Sequence, residues 1–262
     1  MRTGIEFVYN EAPKPNFESY LVESVKSIRG CARFGVLDNV FILNDGSTDN
    51  SKEIILSLIK GYDNVYLIDS KKNLGKLKIF SYGLKVINEF IPFQDEDIIF
   101  TADSDMKDFQ CNHVNQMAEV LEKERTDMVI ANYYSGGKRS SYMDTEYSGI
   151  RAIKSHFIQG FYDETHDDFE YLKPFSNYII PQQGYCLEKV LNLLAGRNRA
   201  MNGLPIYSLF VELDLHLRKA GKGYYNKDEI LEGFEFFEKA FDSKKCGTFS
   251  WLGKLLFLNK FE

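Results

Sequence analysis

The segment that most restricts what this chain can fold into is Phe41-Ile42-Leu43-Asn44-Asp45-Gly46-Ser47-Thr48-Asp49-Asn50-Ser51, where an apolar run passes through an acidic turn into a helical pattern. Val40 to Leu43 has the length and composition of a buried strand. Gly46 permits a sharp reversal that few other residues tolerate. Ser47, Thr48 or Asp49 can then cap a helix predicted over Ser51 to Ile59. In an open α/β sheet the carboxyl edge is where loops diverge into a ligand crevice, so this arrangement leaves Asp45 where a ligand would bind.

The pattern repeats along the first half. Short apolar runs at Ile5 to Val8, Val40 to Leu43, Val65 to Ile68, Ile98 to Thr101 and Met128 to Ala131 alternate with helical patterns at Phe17 to Ile28, Ser51 to Ile59, Lys76 to Phe90 and His113 to Lys123. Such alternation predicts a mainly parallel sheet with right-handed crossovers. After Tyr133 the pattern loosens: Tyr133 to Tyr147 reads as a long loop, and Gly160 to Tyr178 as a solvated connection or short helices. Gln183 to Leu194 and Tyr207 to Ala220 read as helices, the second ending at Gly221.

Four short motifs stand at the ends of the predicted strands: Val8-Tyr9-Asn10-Glu11, Asn44-Asp45-Gly46-Ser47-Thr48-Asp49-Asn50-Ser51, Asn73-Leu74-Gly75-Lys76 and Ala102-Asp103-Ser104-Asp105. Their identity and order resemble the family 2 glycosyltransferases of the GT-A fold, a nucleotide-diphospho-sugar transferase plan with a Rossmann-like mixed sheet flanked by helices. The resemblance covers roughly the first half of the chain. It implies that Asn10, Glu11 and Asp45 meet the donor's base and ribose, and that Tyr9, Lys76 and Ser104 lie by the donor.

Asp103 and Asp105 form the DXD pattern. A sugar nucleotide presents anionic oxygens that carboxylates cannot approach directly, so a divalent cation, Mg2+ or Mn2+, has to bridge them and neutralise the leaving group. Asp95-Glu96-Asp97 matches the same pattern, but it precedes a strand and belongs to the opposite sheet edge, where a solvated strand start is the plainer reading.

Two later segments also carry the resemblance. Tyr147-Ser148-Gly149-Ile150-Arg151 is similar to the S-G-F-R segment of polyprenyl-phosphate glycosyltransferases, which implies that Arg151 lies near phosphates. Phe210-Val211-Glu212-Leu213-Asp214-Leu215-His216-Leu217-Arg218 is similar to the family's acidic segment before D-L-x-L-R. That places a catalytic base at Glu212, where the family usually has Asp, with Asp214 beside it as a supporting carboxylate. A carboxylate there would take the proton of an acceptor hydroxyl during inversion; an ionised phosphate acceptor would need no base.

Several features depart from the family pattern. No histidine follows His216 to serve as a late metal ligand, Lys107 stands where the lipid-phosphate subgroup often has Gln, and Q-x-x-R-W is absent. Arg197 and Arg199 fall on a predicted loop able to close over a leaving group.

The whole chain restricts the alternatives. Its 262 residues, 44% hydrophobic and 27% charged, suit one soluble α/β domain. We expect a donor-binding half over 1–132, an acceptor half over 133–228 and a helical tail over 229–262. A net charge of −6 argues against a general nucleic-acid binder. Cys31, Cys111, Cys186 and Cys246 lack metal or redox spacing and read as reduced thiols of a cytoplasmic protein. The tail around Trp251, with Lys244, Lys245, Lys254 and Lys260, reads either as a core helix or as a peripheral membrane contact.

The expected partners are therefore a UDP- or GDP-sugar donor and an acceptor that is a saccharide, a small hydroxyl compound or a polyprenyl phosphate. The rivals are a sugar-phosphate nucleotidyltransferase, which needs a basic glycine-rich loop where Asn10-Glu11-Ala12-Pro13 stands, and a noncatalytic sugar-nucleotide sensor.

Overall fold

The computed structural model describes residues 1–12, 20–104, 106–107, 109–123, 126–135, 138–139, 149–166, 187–188, 190–192, 194 and 209–217; of 106–107, 132–135, 138–139 and 209–217 it describes the backbone. All of these lie in the first of two units into which the chain divides, Met1–Lys219.

Among the described residues, nine strands form one sheet: β1 (Arg2–Val8), β2 (Asn39–Asn44), β3 (Val65–Asp69), β4 (Ile98–Asp103), β5 (Met106–Lys107), β6 (Met128–Ser135), β7 (Lys138–Arg139), β8 (Arg151–Lys154) and β9 (Leu209–Leu217). They run in the order β3-β2-β1-β4-β8-β6-β9-β5, with β7 paired to β6. The pairs β1 with β2, β1 with β4, β2 with β3 and β6 with β9 are parallel, whereas β8 lies antiparallel between β4 and β6. Because β8 inverts the direction twice, β6 and β9 run the same way as β1 to β4. Six strands thus deliver their carboxyl ends to one edge.

The helices are α1 (Leu21–Arg33), α2 (Ser51–Ile59), α3 (Lys76–Phe90) and α4 (Cys111–Lys123), followed by a 3-10 turn at Ser155–Phe161. Alternation along each strand divides the core between two faces. Val8, Val40, Ile42, Phe100 and Ala152 pack with Leu21, Val25 and Ile28 of α1, Ile55 of α2 and Met117 of α4. On the opposite face Phe7 meets Phe80 of α3, whose ring packs edge-on against Phe161. Gly83 of α3 rides so close to Leu43 that a Cβ would come within 2.8 Å of it. Among the described residues, no helix is long and apolar enough to cross a membrane.

The predicted strands and helices of the first half are found, with the strands reaching one to four residues further at their ends and α1 running on to Arg33. Two expectations are corrected. Tyr133 to Tyr147 does not begin as a loop: β6 continues to Ser135 and pairs antiparallel with β7. Arg151 opens strand β8. The predicted helix from Tyr207 to Ala220, bearing Glu212, Asp214 and His216, is instead strand β9 over Leu209–Leu217. Val211, Leu213, Leu215 and Leu217 alternate with Glu212, Asp214 and His216. That period of two suits a strand, and pairing along β6 satisfies its backbone. Leu187, Glu188, Val190, Leu191, Asn192 and Leu194 are helical, as expected for Gln183 to Leu194.

Candidate active site

The parallel register brings the four motifs to one edge. Val8 stands beside Asn44, Phe7 beside Asp103, and Asn44 beside Asp69. Asn10, with a φ of 54°, turns the chain just past β1, a conformation that asparagine accepts more readily than most residues. The Ser47 hydroxyl accepts from the Asn10 N–H at 3.0 Å, and the Asn10 side-chain oxygen accepts from the Thr48 N–H at 2.8 Å. Glu11 is buried, and its N–H donates to the Ser51 hydroxyl at 3.0 Å. The N-cap of α2 is Asn50, which makes no side-chain cap bond, and not Ser47, Thr48 or Asp49. Asp49, one residue earlier, braces the turn into the helix, its Oδ1 accepting from the Ser51 N–H at 3.0 Å and its Oδ2 from the Ala12 N–H at 3.2 Å. The first and second loops are thus laced into one body, with Tyr9 left 41% exposed at its rim.

Asp45 fastens the third loop to the second. Its carboxylate accepts from the N–H of Leu74 at 2.7 Å and of Gly75 at 2.9 Å. Burial raises its pKa above the ordinary aspartate value, and the two N–H groups pull it partly back. Gly46 is obligatory here: at φ +67° a Cβ would fall 2.2 Å from the Lys72 carbonyl carbon. Gly75, at φ +82°, then releases the chain into α3.

That turn aims Lys76 inward. Its ammonium lies 2.6 Å from Asp103 Oδ1, is also paired with Glu188 Oε1, and sits 4.9 Å from the centre of the Phe7 ring. Burial works against its charge, but Asp103 and Glu188 outweigh it and hold the Lys76 pKa above the ordinary lysine value. Asp103 keeps 34% of its side chain exposed; Lys76 keeps 12% and Glu188 2%. Ser104 is buried, its N–H bonded to the Phe7 carbonyl at 3.1 Å. Gly149 packs directly over this group: a Cβ there would lie 2.2 Å from Asp103 Oδ2 and 2.8 Å from Lys76 Nζ. The glycine of the S-G-x-R motif is therefore the residue that leaves room for the ion pair.

Arg151 is buried to 1%, its guanidinium donating to Asn192 Oδ1 at 2.6 Å. It ties β8 to the helical segment that carries Glu188. Thr101, Arg151, Ile130 and Phe210 stand in one row across β4, β8, β6 and β9. Two residues further along their parallel strands, Asp103, Asn132 and Glu212 are level, with Asn132 the direct partner of Glu212. Three strand spacings of ~4.8 Å place the Glu212 backbone about 14 Å from that of Asp103. Asp214 follows on β9; Asp105 lies outside the described residues.

A hard divalent cation takes carboxylate oxygens. Asp103 offers one that already accommodates a cation, the Lys76 ammonium, so its environment fits a metal ligand. Among the described residues, no cluster of three or more His, Cys, Asp or Glu is arranged around a metal position. On the far edge, Asp97 is buried and accepts from the Gln94 N–H at 2.7 Å. The second acidic motif is thus at the opposite edge, as expected, with Asp95 and Glu96 exposed to solvent and Asp97 packed inward.

Glu188 was not visible as a site residue in the sequence. The available signal was an acidic side chain within an otherwise apolar helical stretch, in line with the buried Leu191 three residues on.

The loops at this edge fall within the part of the chain that resembles a known family. A family model described as Glycosyl transferase family 2 matches residues 7–173. The chain belongs to that family. A dolichyl-phosphate beta-glucosyltransferase of Trichomonas vaginalis is 36% identical over 86 residues, which is 32% of this chain and 23% of that protein. The chain thus aligns with under a quarter of the length of that relative. Among solved structures, glucosyl-3-phosphoglycerate synthase from Mycobacterium tuberculosis, in complex with Mn2+, UDP and phosphoglyceric acid, matches with a TM-score of 0.56 at 14% identity. The match covers 92% of this chain and 77% of that one. Mannosyl-3-phosphoglycerate synthase from Rubrobacter xylanophilus also matches at 0.56, with 13% identity, over 91% of this chain and 72% of that one. At these identities the likeness shows the fold, which is GT-A.

Proposed function

We propose that this family 2 chain transfers a sugar from a nucleotide diphosphate sugar to an acceptor, with a divalent cation held at Asp103 and Asp105. The observation that carries this reading is the carboxyl-edge group in which Asp103 and Lys76 face each other while Asp45 holds the loops beside them. A carboxylate and an ammonium at one crevice are the two charges that a metal-bridged diphosphate calls for. The nucleotide is UDP or GDP in this reading, and complexes of structural neighbours with UDP and Mn2+ support that class. When bound, Mg2+ or Mn2+ would neutralise charge on the departing diphosphate.

The residues of the chain divide the remaining work. Tyr9, Asn10, Glu11 and Asp45 frame the base and ribose, and Lys76 meets phosphate. Glu212 serves as the base toward a hydroxyl acceptor, with inversion at the anomeric carbon and Asp214 in support. Its backbone stands level with Asp103 and three strands away, at the same sheet edge, which supports this reading. Arg151 acts here by orienting the helical segment behind Lys76, since its guanidinium is already buried against Asn192. The acceptor is a saccharide, a small hydroxyl compound or a polyprenyl phosphate; the dolichyl-phosphate relative supports the last. The protein works in the cytoplasm, at a membrane surface if the acceptor is a lipid.

A thermal-shift screen of UDP-, GDP-, CMP- and dTDP-sugars with and without Mn2+ tests this reading. One nucleotide should raise the melting temperature in a metal-dependent way, and Asp105→Ala should abolish the shift. A shift indifferent to both metal and substitution counts against it.

A further inference from the structure

Lys76 has three ammonium protons and two carboxylate partners. One proton goes to Asp103 and one to Glu188 Oε1. The second oxygen of Glu188, Oε2, is buried and has no hydrogen-bond partner among the described residues. An unpaired carboxylate oxygen at a position 2% exposed costs free energy, and such a cost persists where another state uses the atom. The two carboxylates also differ: Asp103 is one-third exposed and open to the crevice, whereas Glu188 is sealed behind the lysine.

A divalent cation and the Lys76 ammonium cannot share Asp103 at low cost, because like charges in a partly desolvated site repel. The lysine has to withdraw. Most of its side chain is enclosed by Phe7, Gly149 and Glu188, so the nearest compensating charge is the free oxygen of Glu188.

The geometry points to Glu188 as a positioning residue, a sealed counter-ion that receives the Lys76 ammonium when a divalent cation takes Asp103. Until then Lys76 is an internal competitor for the metal site, and Glu188 sets how readily it gives way. The inference rests on reading Asp103 as a cation ligand, and it opposes the effects of two neighbouring residues. Removing the lysine charge frees Asp103 and strengthens metal binding. Removing the Glu188 charge leaves the ammonium on Asp103 and weakens it. A merely structural pair would weaken it in both cases.

The test is Mn2+ binding to the nucleotide-free protein, followed by the electron paramagnetic resonance signal of free Mn2+. Lys76→Met should bind Mn2+ roughly tenfold more tightly than the wild type, in keeping with close charges at a partly buried site. Glu188→Gln should bind it several-fold more weakly, and Glu188→Asp should recover much of the wild-type affinity. In the Lys76→Met background, adding Glu188→Gln should change affinity by less than about twofold, the mark of an effect routed through the lysine. That double variant buries no unpaired charge, so it also keeps the test open if Glu188→Gln alone misfolds.

A large loss in the double variant would show Glu188 to be a direct ligand and overturn the proposal. So would a Glu188→Gln protein that binds Mn2+ as the wild type does, while Lys76→Met gains binding that Asp103→Asn removes; the metal reading would then survive. If neither Lys76→Met nor any other variant binds Mn2+, the assignment of Asp103 fails and takes the proposal with it.

Discussion

Two carboxylates at the same sheet edge are neutralised in opposite ways. Asp45 is held by backbone N–H groups of Leu74 and Gly75, donors that cannot move without unfolding a loop. Asp103 is held by the end of a flexible lysine, a donor that can be exchanged for another cation at the cost of a rotamer change. The first corner is scaffold and the second is exchangeable. A carboxylate's neighbours, more than its own burial, therefore indicate whether it builds the site or works in it.

The largest expected effect tests that contrast through two glycines at which an added Cβ would come equally close to a neighbour. A Cβ on Gly46 would fall 2.2 Å from backbone of Lys72, in a left-handed conformation, with nothing able to give. Gly46→Ala should cost roughly 4 kcal/mol or prevent folding, read from urea denaturation. A Cβ on Gly149 would come equally close to Asp103 Oδ2 and next to Lys76 Nζ, both free ends of side chains. Gly149→Ala should cost less than about 1 kcal/mol of stability yet disturb Mn2+ binding. Equal stability losses in the two variants would end the distinction between fixed and exchangeable corners.

Next in size is Glu6, in the middle of β1 on the α1 face, fully buried with neither oxygen hydrogen-bonded. Burial pushes its carboxyl up to about 8; the Ser24 hydroxyl, outside hydrogen-bond geometry, pulls the other way, and the charge of Asp103 adds a smaller rise. The folded state keeps a proton that the unfolded chain releases near pH 4.5, so stability should fall as pH rises from about 4.5 to 8. At about 1.4 kcal/mol per unit, the loss is on the order of a few kcal/mol. Glu6→Gln should remove it, giving a protein more stable than wild type at pH 8.5 and little changed at pH 5, by chemical denaturation.

A smaller loss is expected for Asp45→Asn. The amide presents an N–H2 group to one of the two loop donors, so about 1 to 3 kcal/mol should go, with loop 72–75 exchanging its amide protons faster. The least effect belongs to the opposite edge, where His156 lies 3.2 Å from Asp127. The bond to Asp127 raises the His156 pKa, assisted by the Asp95 carbonyl and opposed by burial. Its contribution is complete below the ordinary histidine pKa and is lost as pH rises through the higher folded value. Because the pair is partly exposed, His156→Ala should cost under ~1 kcal/mol at pH 5.5, and less at pH 8.

The first half of the fold was legible because its signals are local. Strand composition, the turn at Gly46 and the start of α3 at Lys76 each lie within a few residues, and the four motifs follow from strand ends in order. The second half was less so. The segment around Glu212 carries both a family-like acidic pattern and a strict alternation, and only pairing with β6 decides in favour of a strand. Tyr133 to Tyr147 reads as loop because polar and aromatic residues are mixed there, yet Tyr134 and Ser135 pair with Arg139 and Lys138.

At the site the same division holds. Position at the carboxyl edge could be read for Asn10, Asp45, Lys76 and Asp103 from where each stands relative to a strand. Their partners could not be read. That Asp45 would spend its charge on Leu74 and Gly75, that Arg151 would be buried against Asn192, and that Glu188 would close the far side of Lys76 are contacts across 29 and 30, 41 and 112 residues.

The chain's own order of residues determined the sheet plan, the edge at which the chemistry collects and the glycines that the turns demand, because these depend on backbone sterics and on apolar spacing along short stretches. Which charges neutralise which was decided only by the tertiary structure. Electrostatic partnership acts through space between segments that the sequence keeps far apart, and no local pattern encodes a distance between them.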